Sequence, residues 1–495
     1  MSSKLPRQEV TSWSCLVGIG FTLMVAASAN AQSPSRLRFS LPEDNRPRTA
    51  ADFARLDADT AYQRGDYNKV VEVAGRLLQA DPSDHVAYHL RGSAQIELGR
   101  ASGSSKLIRD GISDSRQALA LAGNRFVWLY VPYLYGLTSL AQVEQRPQHA
   151  ELAIQVAGPV LERPLVAPTD KAQLLFQRGY AYRTKGDAQP ALADLNEAIR
   201  LAPDHLAAHL QRAEIQATSG DTKSALASYD RAAETFPNVP VVFNDRGALR
   251  RATGNLDGAI ADFTRAVQID ARFSMGYLNR AICLSDRHQL DAAESDFTQS
   301  LQIDPNQPLV YRLRGNARLS QGRVVAGLSD FTAAIKLAPN AAEGFEDRGF
   351  ANFYAGKFTE AAADFGRARE FNSQRSYLAP WQALASWRAN PGAAKTKSLV
   401  TELEGANALQ GWPAHVARFL LDMVDDKALL AATDEQSSSS KTDRLCEAHF
   451  FRGQKALLEN NADAAAAHFR ESVKTGATHL AAYRGARYEL KDFPK

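Results

Sequence analysis

An all-α fold, a right-handed superhelical solenoid of antiparallel helix pairs, is predicted by three observations. Small residues stand at Gly179, Ala213, Gly247, Ala281, Gly315 and Gly349, each 34 residues after the last. The stretch "RGALRRATGNLDGAIADFTRA" (246–266) joins such a residue to a Gly-Asn break and an apolar ladder ending in Phe263, and its outline returns in the neighbouring segments. The chain has 495 residues, 45% hydrophobic and only 8% aromatic, which supplies a large core built on small and aliphatic side chains.

The rest of the skeleton keeps the same frame. Gly179 is followed by Tyr182, Gly186, Ala191, Leu195, Ala198 and Pro203, and Ala213 by Gly220, Ala225, Tyr229, Ala232 and Pro237. Later copies carry Phe263, Phe297, Phe331 and Phe365 in the ring position. Each position has a physical task. Small residues let the two helices approach, while the ring fills space between adjacent repeats. The mid-repeat glycine ends the first helix in a left-handed cap. Pro203, Pro237, Pro305 and Pro339 stop the second helix, because proline lacks a donor and disfavours helix in the residue before it. A 34-residue helical unit of this kind resembles the tetratricopeptide repeat, and stacked copies of it bury a face that one copy cannot.

Taken in order, the chain opens with Lys4 and Arg7 ahead of the apolar run "CLVGIGFTLMVAASA", with Ala29 and Ala31 in the small-x-small pattern of a cleavage site. Residues 1–31 are expected to be a signal peptide cut after Ala31. At about 15 residues the run is shorter than the roughly 20 needed to span a bilayer. Cys15 opens the run and no lipobox surrounds it, so the expected location is periplasmic or secreted, with no membrane attachment after cleavage. Residues 32–50 are rich in Pro, Arg and Ser and read as a disordered lead. Residues 51–168 read as divergent helical repeats with an insertion around "ASGSSKLIRDG", and 169–373 as six repeats. Residues 374–445 form a divergent helical segment, and 446–495 a final repeat (Gly453, Phe469, Ser472) with the capping helix "AAYRGARYELK".

Charge and motifs exclude several functions. A net charge of +3 is too small to suggest nucleic acid or an anionic membrane as the main partner. No nucleophile elbow, P-loop or dinucleotide fingerprint occurs, so no enzyme activity and no cofactor are expected. His85 with His89 and His205 with His209 are spaced i, i+4, but neither pair brackets the glutamate of a zinc protease, and packing is the expected role. Cys283 is expected to pack as a small hydrophobe, without a disulfide to Cys446. A column of arginines (Arg178, Arg212, Arg246, Arg280, Arg314, Arg348) runs with a column of aspartates (Asp194, Asp262, Asp296, Asp330, Asp364), and the two are expected to pair across each helix pair.

What remains is binding of a protein or peptide in the concave groove. Helix-A positions two, five, nine, twelve and thirteen select Phe176, Tyr180 and Arg183, then Asn244 and Arg251, Met275, Ile282 and Asp286, Arg312 and Asn316, and Glu346, Phe350, Phe353 and Tyr354. Arg312 with Asn316 makes half of a carboxylate clamp, spoiled by Asp347. Phe350, Phe353 and Tyr354 form a surplus aromatic cluster that is expected either to capture a partner or to dock on the segment around Trp381.

The C-terminal stretches "SYLAPWQALASWRA", "GWPAHVARFLLDMVDDKALLAA" and "CEAHFFRGQKALLENNADAAAAHFRESVKTGATHLAAYRGARYELK" resemble the bacterial tetratricopeptide lipoproteins that act as periplasmic adaptors. That resemblance implies a helical scaffold that docks a C-terminal-processing protease and presents peptidoglycan hydrolases to it. The leading expectation is therefore an exported, non-catalytic scaffold. The alternative is a hydrolase accessory or enzyme with an active site in the 380–445 segment.

Overall fold

A computed structural model describes residues 49–164, 166–390, 409–435 and 439–493. The proposed signal peptide, its cleavage site at Ala31 and nearly all of the lead lie outside them. Regular structure among the described residues is entirely helical, with 24 α-helices. These fall into two compact units that meet in sequence between Gly254 and Asn255.

The first unit contains α1 (Ala50–Gln63), α2 (Tyr67–Ala80), α3 (His85–Ser102), α4 (Ser105–Leu121), α5 (Tyr130–Glu144), α6 (Pro147–Leu161), α7 (Pro168–Lys185), α8 (Ala188–Leu201), α9 (Leu206–Thr218), α10 (Thr222–Thr235) and α11 (Pro240–Ala252). The second contains α12 (Leu256–Ile269), α13 (Ser274–Asp286), α14 (Leu290–Ile303), α15 (Pro308–Ser320), α16 (Val324–Leu337), α17 (Ala342–Tyr354), α18 (Phe358–Phe371), α19 (Ala379–Ala389), α20 (Gly411–Leu420), α21 (Asp426–Ala432), α22 (Lys441–Leu458), α23 (Ala462–Lys474) and α24 (Ala481–Glu489). Within each unit most successive helices pack on one another across short turns, which makes those pairs antiparallel. Within each unit the result is an all-α tetratricopeptide-repeat solenoid.

Local chemistry sets the helix ends. Pro168, Pro240 and Pro308 occupy first turns, where no amide donor is needed. Gly186 and Gly322 end first helices at φ of 95° and 81°. His288 stands one repeat before Gly322 and takes the same left-handed conformation at φ 59°. Second helices stop at Leu201, Thr235, Ile303 and Leu337, two residues before their prolines. The stretch read as an insertion is no loop: Ser104 caps α4, and most of "ASGSSKLIRDG" forms the end of α3 and the start of α4. There the two backbones cross at Gly92 and Gly111, where a Cβ on Gly111 would lie 2.5 Å from the Gly92 carbonyl oxygen.

Phe263, Phe297, Phe331 and Phe365 are fully buried. The expectation set these rings between repeats. They also sit on the small residue of their own pair: a Cβ on Gly315 would lie 2.6 Å from Phe331, and one on Gly349 2.8 Å from Phe365. Phe297 shares its cluster with Val310 and Leu313 of the following repeat, so a ring does both tasks. Cys283 and Cys446 are buried and form no disulfide among the described residues.

Candidate peptide groove

The first unit carries a polar ribbon along its first helices. On α5, Gln142 accepts from Tyr180 Oη of α7 at 2.9 Å and donates to Thr184 Oγ1 at 3.3 Å. Tyr135 stacks on Tyr180, and Arg100 of α3 lies over the Tyr135 ring at 5.1 Å. Arg183 donates to Glu214 of α9 at 2.5 Å. On α11, Asn244 Nδ2 donates to Asp245 at 3.1 Å. An open depression of about 580 Å³ lies beside this ribbon, lined by Gln142, Gln145, Arg183 and Thr184 among others.

Beneath the ribbon lie polar atoms without partners. Gln177 is fully buried, and neither its Oε1 nor its Nε2 is hydrogen-bonded. Gln211 is 7% exposed with an unpartnered Oε1, and Gln173, a partly buried residue, also has an Oε1 without a partner. A buried amide in this condition costs about 1–3 kcal/mol when nothing meets it. Phe176 is buried against His205 at 4.8 Å between ring centroids. Arg251 is partly buried on α11.

Asp245 is the other unusual group. It is partly buried, accepts only from Asn244 and makes no ion pair among the described residues. Burial pushes its pKa up to about 7; the Asn244 hydrogen bond opposes the shift and the Glu214 charge adds to it. The charged and titratable groups that act on this site are Glu214 with its partner Arg183, and the buried Tyr229 of α10. A carboxyl with a raised folded pKa holds a proton that the unfolded chain, near 3.8, has already lost. Its contribution therefore falls as pH rises from about 4 to about 7. Asp245→Asn is expected to raise the urea midpoint at pH 8 and to leave it unchanged near pH 4, as equilibrium unfolding at the two pH values would check.

The second unit uses its sequence-selected groove residues differently. Arg312 is held by Asp347 at 2.6 Å, and Asn316 turns back to the Arg312 carbonyl, so the half-clamp is closed on the chain itself. Glu346 accepts from Arg375 and from Tyr377 Oη. Met275 and Ile282 belong to the core around Phe297. Phe350, Phe353 and Tyr354, read as partner-binding aromatics, are 8%, 2% and 9% exposed. Trp381 of α19 lies 5.0 Å from Phe350 and 5.5 Å from Phe353, while Tyr488 stacks on Tyr354 at 5.1 Å. Tyr354 Oη also donates to the Ala481 carbonyl, and Tyr488 Oη to that of Leu319. The second of the two sequence expectations for these rings is the one realised: the C-terminal helices cover them.

The arginine column is structural. Arg178, Arg280, Arg314 and Arg348 each grip the aspartate sixteen residues on through two nitrogens, at 2.6–3.1 Å. A third nitrogen of Arg280 and of Arg314 reaches back to Thr264 and Thr298 of the preceding second helix, which sews repeat to repeat. Arg212 lacks this carboxylate, since Ser228 stands in the aspartate position. It is buried, its Nε has no partner, and burial first and Arg231 second lower its pKa. Ser228→Asp is expected to stabilise the first unit by about 1 kcal/mol, read as a higher urea midpoint. His89 packs edge-on to Trp128 and His209 edge-on to Phe236, the packing role expected of them.

Sequence reasoning missed Gln177, Gln211, Glu214 and Asp245. A signal was present: a polar residue precedes the column arginine at Gln177, Gln211, Asp245, Asn279 and Asp347. Groove positions beyond the five used for selection therefore carry the polar chemistry.

The paired helices, the 34-residue frame and the fully buried ring column define a tetratricopeptide-repeat solenoid. Residues 176–240, which span most of α7 to the start of α11, match the family model described as tetratricopeptide repeat. No curated protein sequence matches the chain. Similar solved structures include MamA from Desulfovibrio magneticus RS-1, 18% identical with a TM-score of 0.32 over 34% of this chain and 96% of that one. YrrB, described as a TPR protein with an unusual peptide-binding site, is 17% identical with a TM-score of 0.33 over 36% and 92% of the two chains. PilF of Pseudomonas aeruginosa is 18% identical with a TM-score of 0.38 over 42% and 95%.

Proposed function

We propose that the protein is a non-catalytic scaffold whose first unit holds an extended peptide segment of a partner along the ribbon from Gln142 to Asp245. The observation that carries this reading is a set of buried amide atoms without partners: Oε1 of Gln173, Gln177 and Gln211, and Nε2 of Gln177. An extended peptide presents donors and acceptors along its backbone, and amide side chains offer both in return. Folding alone would favour aliphatic residues at these positions, because an unsatisfied buried amide is a net cost. The N-terminal pattern supports export, with cleavage after Ala31 and a periplasmic or secreted location. The C-terminal resemblance supports an adaptor role between a periplasmic protease and cell-wall enzymes. No described helix is long and apolar enough to cross a membrane.

The test is a random dodecapeptide library displayed on phage, panned against the full chain. Gln177→Leu is expected to raise thermal stability, by about 1–3 kcal/mol, and to weaken capture of the selected peptides at least tenfold. Unchanged capture by this variant and by Gln211→Leu would refute the groove. Peptidase or peptidoglycan hydrolase turnover that survived repurification would refute the non-catalytic reading.

A further inference from the structure

The groove also shows which side chain it selects. Resting on the peptide-groove reading, we propose that Asp245, together with Gln211 at the same position one repeat earlier and Glu214 on the Gln211 helix, receives a lysine or arginine side chain of the bound segment. Three observations converge. Asp245 is a partly buried carboxyl without a cation among the described residues. The cations nearest along its own helix are committed elsewhere, since Arg246 and Arg250 both bind Asp230 of α10. Arg183 is taken by Glu214 at 2.5 Å, so that pair is neutral and leaves the Asp245 charge unmatched. Independently, Gln211 is more than nine-tenths buried with an acceptor, Oε1, that no donor reaches. It lies three residues before Glu214 and so shares its helix face, and it holds on α9 the repeat position that Asp245 holds on α11.

A carboxylate that holds only the Asn244 amide and an amide oxygen that no donor reaches, beside a carboxylate that is already paired, form a set of acceptors short of donors. An ammonium brings three donors and a guanidinium five, together with the missing charge. An acidic ligand would meet repulsion from Asp245 and find only an arginine already paired with Glu214. An apolar side chain would bury the carboxyl further and leave the Gln211 oxygen unpaired. The selectivity is thus opposite in sign to that of a carboxylate clamp.

The experiment uses the full chain and the strongest peptides from the phage selection, synthesised with a fluorescein label and titrated by anisotropy. The expected peptides share a lysine or arginine. Its replacement by norleucine weakens binding at least tenfold on the wild type and less than twofold on Asp245→Asn, while Asp245→Asn loses at least tenfold for the parent peptide. This variant retains the amide shape and is expected to fold, which circular dichroism verifies. Equal binding of the parent peptide to wild type and Asp245→Asn, or an equal norleucine penalty on both, overturns the cation site. In that case, loss of binding in Gln177→Leu would leave the groove standing. Binding that ignores Gln177, Gln211 and Asp245 alike overturns both readings.

Discussion

Asp330→Ala is expected to destabilise the second unit by about 3–5 kcal/mol, the cost of leaving a buried ion without its partner. Asp330 is 3% exposed and accepts from Arg314 Nε and Nη2 and from Arg318 Nη1, at 2.7–3.1 Å. Arg318 keeps Glu294 at 2.9 Å, so it is not stranded. Arg314 is. Its remaining hydrogen bond goes to the Thr298 hydroxyl, and its guanidinium lies 5.6 Å from the Tyr311 ring, which cannot replace a carboxylate. The double variant Arg314→Met with Asp330→Leu is expected to recover most of the loss, because apolar side chains of similar size need no partner. Urea unfolding followed by circular dichroism decides the matter. A fall of less than 1 kcal/mol for Asp330→Ala would show that the column behaves as an exposed ion pair.

The scaffold was more legible in the sequence than the site, and for a physical reason. Contacts within a repeat link residues at fixed short separations, so a column such as Arg280 and Asp296, or Gly315 and Phe331, repeats its own evidence along the chain. The roles of Phe350, Phe353 and Tyr354 depend on Trp381, Phe450 and Tyr488, elements outside the period, and no spacing rule could pair them. Asp245 and Gln211 are unusual through what they lack, and a missing partner has no pattern in a sequence. Their regular position before the column arginine was visible, but its significance required knowing that Asp245 has no cation and the Gln211 oxygen no donor among the described residues.

Phe353→Ala is expected to cost about 3–5 kcal/mol, as truncation of a buried ring in a packed core does. The reason lies in what the ring touches. Phe353 lies 5.5 Å from Trp381, 5.2 Å from Phe358 and 6.3 Å from Phe450, all measured between ring centroids. Trp381 in turn stacks on Phe450 at 4.9 Å, so one truncation opens a cavity at the meeting of α17, α18, α19 and α22. These helices share one hydrophobic cluster that continues to Ala482 and Ala486 of α24, and part of the loss should appear as detachment of that helix. Hydrogen exchange separates the outcomes: amides of α24 are expected to exchange faster in Phe353→Ala, while those of α13 and α14, packed in the separate cluster around Phe297, keep their protection. Peptide capture by the first-unit groove is expected to stay within twofold of wild type. A variant that lost capture while retaining its stability and its α24 protection would return these rings to the binding surface.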